Sequence, residues 1–530
     1  MKPAVRHLLA VAVITTCGLA GWWLALDLKQ SVSMQATISH PEKTPRRPSA
    51  SSSVHSRDVA RDEFKDGTTV EIFGSREPGE AILRFPTDDS YTAFLFAVGQ
   101  SRIRVVDQLD RLRAVRLAYG DREDLTMLLL GENITSYAAI PTVPNPGPTS
   151  GRGQEGLVGF GNGLMPWLGM TGDNSAWGAG VKVAVLDSGI VPHPDLPGFT
   201  KSIAIVPFPD DVTRTNGHGT AVASLIAGAD ASSPGVAPAV ELISIRISDD
   251  EGQADSFAMA AGILAAVDEG VDLINISMGT PVDNPLIAEA VAYANDHQVL
   301  IVASSGNSEG AEATYPAAYP SVISVGAVDA RGEHLDFSNY GKYLSLTAPG
   351  YALSAAWPGN RHTRMSGTSA SAPIVTGAIA AAMSNDGSKQ MSARQAAEIV
   401  MKNADEAGIP GPDSEYGVGI LNLGRIMNRA VPGIIDVAIT DQRLIRRGAS
   451  REIQITLQNR GTTVLVNTTL EVSSPAGVRQ FNATTLTPGE IQVYTVPVRA
   501  GAVSVSSRLI LSSPGQDATP YNNRRDDTFE

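Results

Sequence analysis

Between positions 181 and 327 the chain repeats one pattern. Short apolar runs, Val181–Leu186, Leu242–Ile247, Leu273–Met278, Val299–Ala303 and Val322–Ala327, alternate with helix-like stretches Gly219–Ala227, Ser256–Glu269 and Pro285–His297. A strand that is apolar on both faces must be covered on both faces. Strands of this kind separated by helices therefore predict an α/β fold, a doubly wound parallel sheet with helices on each side. The domain built on it is expected to run from 168 to 430.

The flanks read differently. Residues 63–141 give the order βαββαβ, with strands at Glu80–Arg84, Ile103–Gln108, Leu112–Ala118 and Thr135–Ile140. The helices between them are Ser90–Gly99 and Arg122–Gly131, the second capped by Asp121. This is a ferredoxin-like pattern. Residues 434–515 carry short strands divided by Gly, Pro and Asn, which predicts a β-sandwich. The spans 31–62 and 142–167, rich in Pro with Ser or Gly, read as linkers. The polar stretch 516–530 reads as a mobile tail.

The first 30 residues look like a targeting segment. Lys2, Arg6 and His7 precede an uncharged run from Leu8 to Leu26. At about 1.5 Å per residue, that run nearly spans a ~30 Å hydrocarbon core. The basic residues before it place the domains beyond the run outside, on the cell membrane as a single-pass protein. A cleaved signal peptide with Gly18-Leu19-Ala20 at the cut is the competing reading, and a lipidated Cys17 is the third. In each case the rest of the chain is exported, to the membrane or to the extracellular or periplasmic space. Cys17 is the sole cysteine, so no intramolecular disulfide is available, and a net charge of −14 argues against nucleic acid as a partner.

Three segments of the α/β region carry chemistry. Val183-Ala-Val-Leu-Asp187-Ser188-Gly189 ends a buried strand on a carboxylate. Asn216-Gly217-His218-Gly219-Thr220 opens a helix on a histidine. Met365-Ser366-Gly367-Thr368-Ser369 opens another on a serine. Open α/β sheets gather their sites at the carboxyl ends of strands, where these loops can meet. A serine hydroxyl needs a base to take its proton, and the base needs an acid to hold its tautomer. Taken singly, each residue is an ordinary cap or loop group; taken together they predict a nucleophile, a base and an orienting carboxylate.

From about Leu168 to Ala430 the chain resembles the catalytic domain of the subtilisin-like serine proteases. The likeness rests on Asp187-Ser-Gly followed by His193-Pro-Asp-Leu196, His218-Gly-Thr, Gly235-Val-Ala-Pro238, Asn275-Ile-Ser-Met-Gly279, Ser305-Gly-Asn307 and Gly367-Thr-Ser369, in that order. Asp, His, Ser is also the order subtilisin carries. The resemblance implies a serine endopeptidase acting on protein or peptide substrates, with Asp187, His218 and Ser369 catalytic and Asn307 donating to the oxyanion. It implies that Ser277, Met278 and Gly279 pair with extended substrate, with Gly252 on the opposite side. Thr314, where relatives commonly have glycine, would narrow the main specificity pocket. The acidic loop Asp249, Asp250, Glu251 and Asp255 is expected to be solvated or to favour basic substrate residues. By the same resemblance the 63–141 unit is an inhibitory propeptide, cut near 140–155, making the protein a self-processing zymogen. The 434–515 region resembles bacterial immunoglobulin-like domains.

The sequence also departs from the family. Ala221 and Ser224 stand where relatives carry His and Gly on the helix after His218. The segment from Ala227 to Gly235 is short where many relatives bind calcium, so Asp195 alone matches a calcium ligand. No metal is assigned and no cofactor is expected. The rival function is a catalytically weak envelope binding protein on a protease scaffold; an esterase using the same residues is another.

Overall fold

The structure is a computed structural model. It describes residues 60–63, 69–72, 79–131, 138–139, 157–170, 172–211, 215–384, 388–448, 450–499, 501–512 and 516–529. The expected targeting segment and most of both expected linkers lie outside these residues. Among the described residues, no helix is long and apolar enough to cross a membrane.

In the N-terminal unit, β1 (Ala60–Glu63) pairs with β2 (Thr69–Ile72), so a strand stands where a linker was expected. The remaining elements are β3 (Gly79–Arg84), α1 (Asp88–Val98), β4 (Arg104–Leu109), β5 (Ala114–Tyr119), α2 (Arg122–Gly131) and β6 (Ala138–Ala139). The predicted βαββαβ succession is present, and the sheet runs β4-β5-β3-β6 with antiparallel neighbours. Thr87 and Ser90 close a reciprocal cap on α1. At α2, Asp121 accepts from Glu123 N–H at 2.9 Å.

The central domain opens with the short helix α3 (Leu164–Trp167) and is built on a seven-stranded parallel sheet. Its strands are β7 (Lys182–Asp187), β8 (Phe199–Ala204), β9 (Glu241–Arg246), β10 (Leu273–Ile276), β11 (Leu300–Ser304), β12 (Ile323–Val328) and β13 (Leu346–Pro349). Their order is β13-β12-β11-β10-β7-β9-β8. β8 escaped the sequence because Phe199–Ala204 is a mostly exposed edge strand with no apolar run. A hairpin of β14 (Leu353–Trp357) and β15 (Arg361–Met365) comes after the sheet. The helices are α4 (His218–Ala227), α5 (Ser256–Asp268), α6 (Pro285–Asp296), α7 (Thr368–Met383), α8 (Ala393–Lys402) and α9 (Leu423–Asn428).

Alternation along β7 shows how the two layers form. Val183 and Val185 face the core shared with α4 and α7, and Ala184 and Leu186 face the core shared with α5 and α6. Each large apolar side chain buried this way contributes roughly 1.5–3 kcal/mol. The N-terminal unit adds Ile82, Leu112 and Ala114 to the α5–α6 side. Around that patch Arg84 pairs with Glu289, Arg111 with Asp268 and Arg116 with Asp255.

The C-terminal region has β16 (Val437–Arg447), β17 (Ser450–Asn459), β18 (Leu465–Ser474), β19 (Gly477–Leu486), β20 (Ile491–Val498), β21 (Val503–Ile510) and β22 (Arg524–Phe529). They form two antiparallel sheets, β16-β17-β20 and β19-β18-β21-β22, around one apolar core. The expected mobile tail is instead largely ordered. β22 pairs with β21 from Val503↔Phe529 to Arg508↔Arg524, and Asp436 accepts from Thr519 Oγ1 and Asn522 Nδ2. Backbone pairing, which polar side chains do not advertise, holds it there.

Candidate active site

β7 delivers Asp187 to the carboxyl end of the sheet, where its side chain is 1% exposed. α4 begins at His218, and Gly219 lets that helix come close, because a Cβ there would stand 2.5 Å from the Gly189 carbonyl oxygen. His218 Nδ1 therefore reaches both Asp187 oxygens, at 2.8 and 2.9 Å. Asp187 also accepts from Ser188 N–H at 2.7 Å. The Ser188 hydroxyl donates to the Asn216 carbonyl and accepts from Gly219 N–H, tying the two loops together. Burial opposes the charged imidazole, but the Asp187 charge and hydrogen bond outweigh it, and the pKa of His218 stands above its usual value.

Ser369 is the second residue of α7, after Gly367 at φ 127°, a turn that disfavours other residues. A buried polar chain fixes this helix against β10. Thr376 Oγ1 donates to Asn275 Oδ1, Asn275 Nδ2 to Ser277 Oγ, and Ser277 Oγ to the Ser369 carbonyl at 3.0 Å. Sequence reading passed over Asn275 and Thr376 as site residues. The signal was there, because an asparagine inside the apolar run Leu273–Ile276 must find buried partners.

Asn307 Oδ1 accepts from Thr368 N–H and Oγ1, both at 2.9 Å. With its oxygen so occupied, the amide nitrogen is the end left for a ligand, and it lies 3.3 Å from where a Gly367 Cβ would stand. Ser277, Met278, Gly279, Asn307, Thr314 and Ser369 line one cavity. Thr314 packs closely against this wall, for a Cβ on Gly279 or Gly306 would come within 2.6 Å of its side chain. Asn339 holds it there, donating from Nδ2 to Thr314 Oγ1 at 3.1 Å; nothing in the sequence pattern singled out Asn339.

Gly252 stands apart from that cavity. It forms the turn of the 248–254 loop at φ 77°, with its N–H on the Asp249 carbonyl. Across an adjoining pocket, Ala254 and Asp255 face Met278 and Gly279. Most of the acidic loop is already engaged. Asp249 accepts from Gln253 N–H, Asp250 pairs with Arg246, and Asp255 caps α5 while pairing with Arg116.

The two departures on α4 are also accounted for. Ala221 is buried, and the Ser224 hydroxyl donates to the Ala221 carbonyl and accepts from Ala356 N–H of β14. A calcium site does not fit at Asp195. Calcium takes six to eight oxygens, whereas Asp195 is met by the imidazoles of His193 and His362 and by the Ser233 hydroxyl.

A model of the subtilase family, Peptidase_S8, matches residues 178–419. Subtilisin BL of Lederbergia lenta is 38% identical over 205 residues, which is 38% of this chain and 76% of that protein. A thermostable alkaline protease of Halalkalibacterium halodurans is 36% identical over 253 residues, covering 47% of this chain and 68% of the other. Among solved structures, the epidermin leader peptide processing serine protease of Staphylococcus aureus shares the fold at TM-score 0.56 and 19% identity, over 67% of this chain and 99% of that one. An identity of 38% across three quarters of a subtilisin is decisive: the chain belongs to the subtilase family and is a serine-type endopeptidase.

Proposed function

We propose that the protein is an exported, self-processing zymogen that cleaves peptide bonds through Asp187, His218 and Ser369. The observation that carries this reading is the contact of His218 Nδ1 with both oxygens of the buried Asp187. That contact holds the tautomer in which Nε2 is free to act as a base. Ser369 Oγ attacks the scissile carbonyl carbon and its proton passes to His218 Nε2. The carbonyl oxygen becomes an oxyanion, facing the Asn307 amide and the Ser369 N–H. As the tetrahedral adduct collapses, His218 protonates the leaving amine and an acyl-Ser369 ester remains. Water then repeats the sequence and releases the acid. Ser277–Gly279 takes the substrate as an added strand, with the Gly252 loop opposite, and Thr314 keeps the main pocket shallow.

In this reading the 63–141 unit is the propeptide, supported by its seat on α5 and α6 beside the cleft. The cut falls within 142–167, and residues 1–30 tether the uncut form to the membrane. The C-terminal sheets bind substrate or envelope, or only brace the enzyme.

The test is a fluorophosphonate probe together with an immunoblot against both ends of the chain. Wild type should label and shorten to a form starting near residue 150, and Ser369→Ala should do neither. A wild type that neither labels nor shortens would restore the reading of a binding protein on a protease scaffold.

A further inference from the structure

We propose that His193, Asp195 and His362 hold a divalent transition metal ion, zinc in type, that fastens the segment leaving the Asp187 strand to the strand leading to Ser369. The three side chains each present a ligand atom within 4.8 Å of the others. Asp195 Oδ1 lies 3.4 Å from His193 Nδ1, and Asp195 Oδ2 lies 2.8 Å from His362 Nε2. Ligands of a tetrahedral zinc ion, bonded at about 2.0–2.1 Å, stand about 3.3 Å apart.

The hydrogen bonds present leave this group wanting a cation. His193 is buried, its side chain 1% exposed. Its Nδ1 accepts from Asp195 N–H at 3.2 Å, so it carries no hydrogen of its own. It therefore meets the Asp195 carboxylate lone pair to lone pair. Its Nε2 must then carry the hydrogen, and that atom is buried with no partner among the described residues. A shared metal ion relieves the first conflict, replacing the Asp195 N–H contact at His193 Nδ1 and the contacts of His362 Nε2 with Asp195 Oδ2 and Ser232 Oγ. Around the group, Ser233 Oγ donates to Asp195 Oδ2, Ser232 Oγ meets His362 Nε2 at 3.1 Å, and Ser232 also donates to Asp230. Two imidazoles and one carboxylate suit zinc and its neighbours rather than calcium, and solvent at the partly exposed His362 supplies a fourth ligand.

The placement gives the ion a purpose. Asp195 lies on the segment leaving the Asp187 strand, Ser233 on the segment leaving α4, and His362 on β15, the strand leading to Ser369. The Asp195 carbonyl also accepts from Ala229 N–H at 2.8 Å. One ion here would fix the spacing of the segments next to Asp187 and Ser369, and the segment after α4 joins it through the Ser233 and Ala229 hydrogen bonds to Asp195.

The experiment uses the full chain, chelator-stripped and blocked with a fluorophosphonate, titrated with zinc chloride by calorimetry and then melted with and without zinc. One zinc per chain is expected, with Tm raised by about 5 °C or more at about 100 times Kd. His362→Ala, at a partly exposed position, should fold, bind at least ~10-fold more weakly and lose the Tm shift; Asp195→Asn should do the same. No zinc bound by wild type, equal binding by wild type and His362→Ala, or stoichiometric calcium binding without zinc would each overturn the proposal.

Discussion

Arg116 of the N-terminal unit pairs with Asp255, the residue that caps α5 at the edge of the cleft. The guanidinium also lies 4.9 Å from the Phe257 ring, so charge and ring face hold it together. Asp255 in turn lines the pocket opposite Met278 and Gly279. Arg116→Glu places two like charges in that seat. In the proposed zymogen, we expect the N-terminal unit, once cut, to separate from the enzyme at least ~10-fold more readily, an effect of about 1.4 kcal/mol or more. Co-purification of the two fragments at low and high salt checks it; equal retention in the variant would leave the anchor to the apolar patch of Ile82, Leu112 and Ala114 and to the Arg84–Glu289 and Arg111–Asp268 pairs.

His218 has a raised pKa, and a general base must be uncharged to work. Activity should therefore fall as pH drops through a value above the ordinary 6.5 of histidine. Asp187→Asn should shift that limb to lower pH and reduce kcat by roughly 10⁴, the effect a wrong tautomer has in the trypsin triad. A pH profile of kcat/KM for both proteins decides the matter.

Asn307→Leu removes the amide while keeping similar bulk. A loss of about 10²–10³ in kcat with little change in KM is expected, a magnitude taken from subtilisin's own oxyanion asparagine rather than from this geometry. Steady-state kinetics on a peptide substrate would show it, and a change confined to KM would assign Asn307 to ground-state binding.

Thr314→Gly should deepen the main pocket, since Thr314 fills the space between Gly279 and Gly306. Preference for a large aromatic over a small side chain before the cut should rise by roughly 10-fold or more in kcat/KM. The lost hydrogen bond from Asn339 should cost about 1 kcal/mol of stability. Cleavage of paired peptide substrates is the measurement.

Glu406 sits at the junction with the C-terminal sheets, where its N–H donates to Gln458 Oε1 and its carboxylate accepts from Gly411 N–H. Burial pushes its pKa up to about 7 from 4.5, and Asp413 and Asp441 add to that against Gly411 and Arg443. The unfolded chain releases this proton near 4.5, while the folded chain keeps it to about 7. Stability from this group is thus complete at low pH and declines as pH rises across that window. Glu406→Gln stays neutral throughout. The variant should gain stability relative to wild type between about pH 5 and 8, read by urea melts; parallel curves would mean that the carboxyl is solvated.

Much of this protein was legible in its residues. The parallel strands at 182–187, 241–246, 273–276, 300–304 and 323–328 were expected within a residue or two, because burial on both faces writes itself as an apolar run. Asp187, His218 and Ser369 stood out as candidates because each lies within two residues of a glycine in a short pattern, whereas Asn307 came only from the family resemblance. β8, β19 and β22 were not expected, since exposed strands are held by backbone pairing that has no compositional mark. Only the tertiary structure brought Asn275, Ser277 and Thr376 into one hydrogen-bonded chain behind Ser369, and His193, Asp195 and His362 into one group. Local sequence carries propensity and periodicity, which act over a few residues. Partnerships across 92 or 167 residues are set by how the sheet and its helices close, and no local pattern records them.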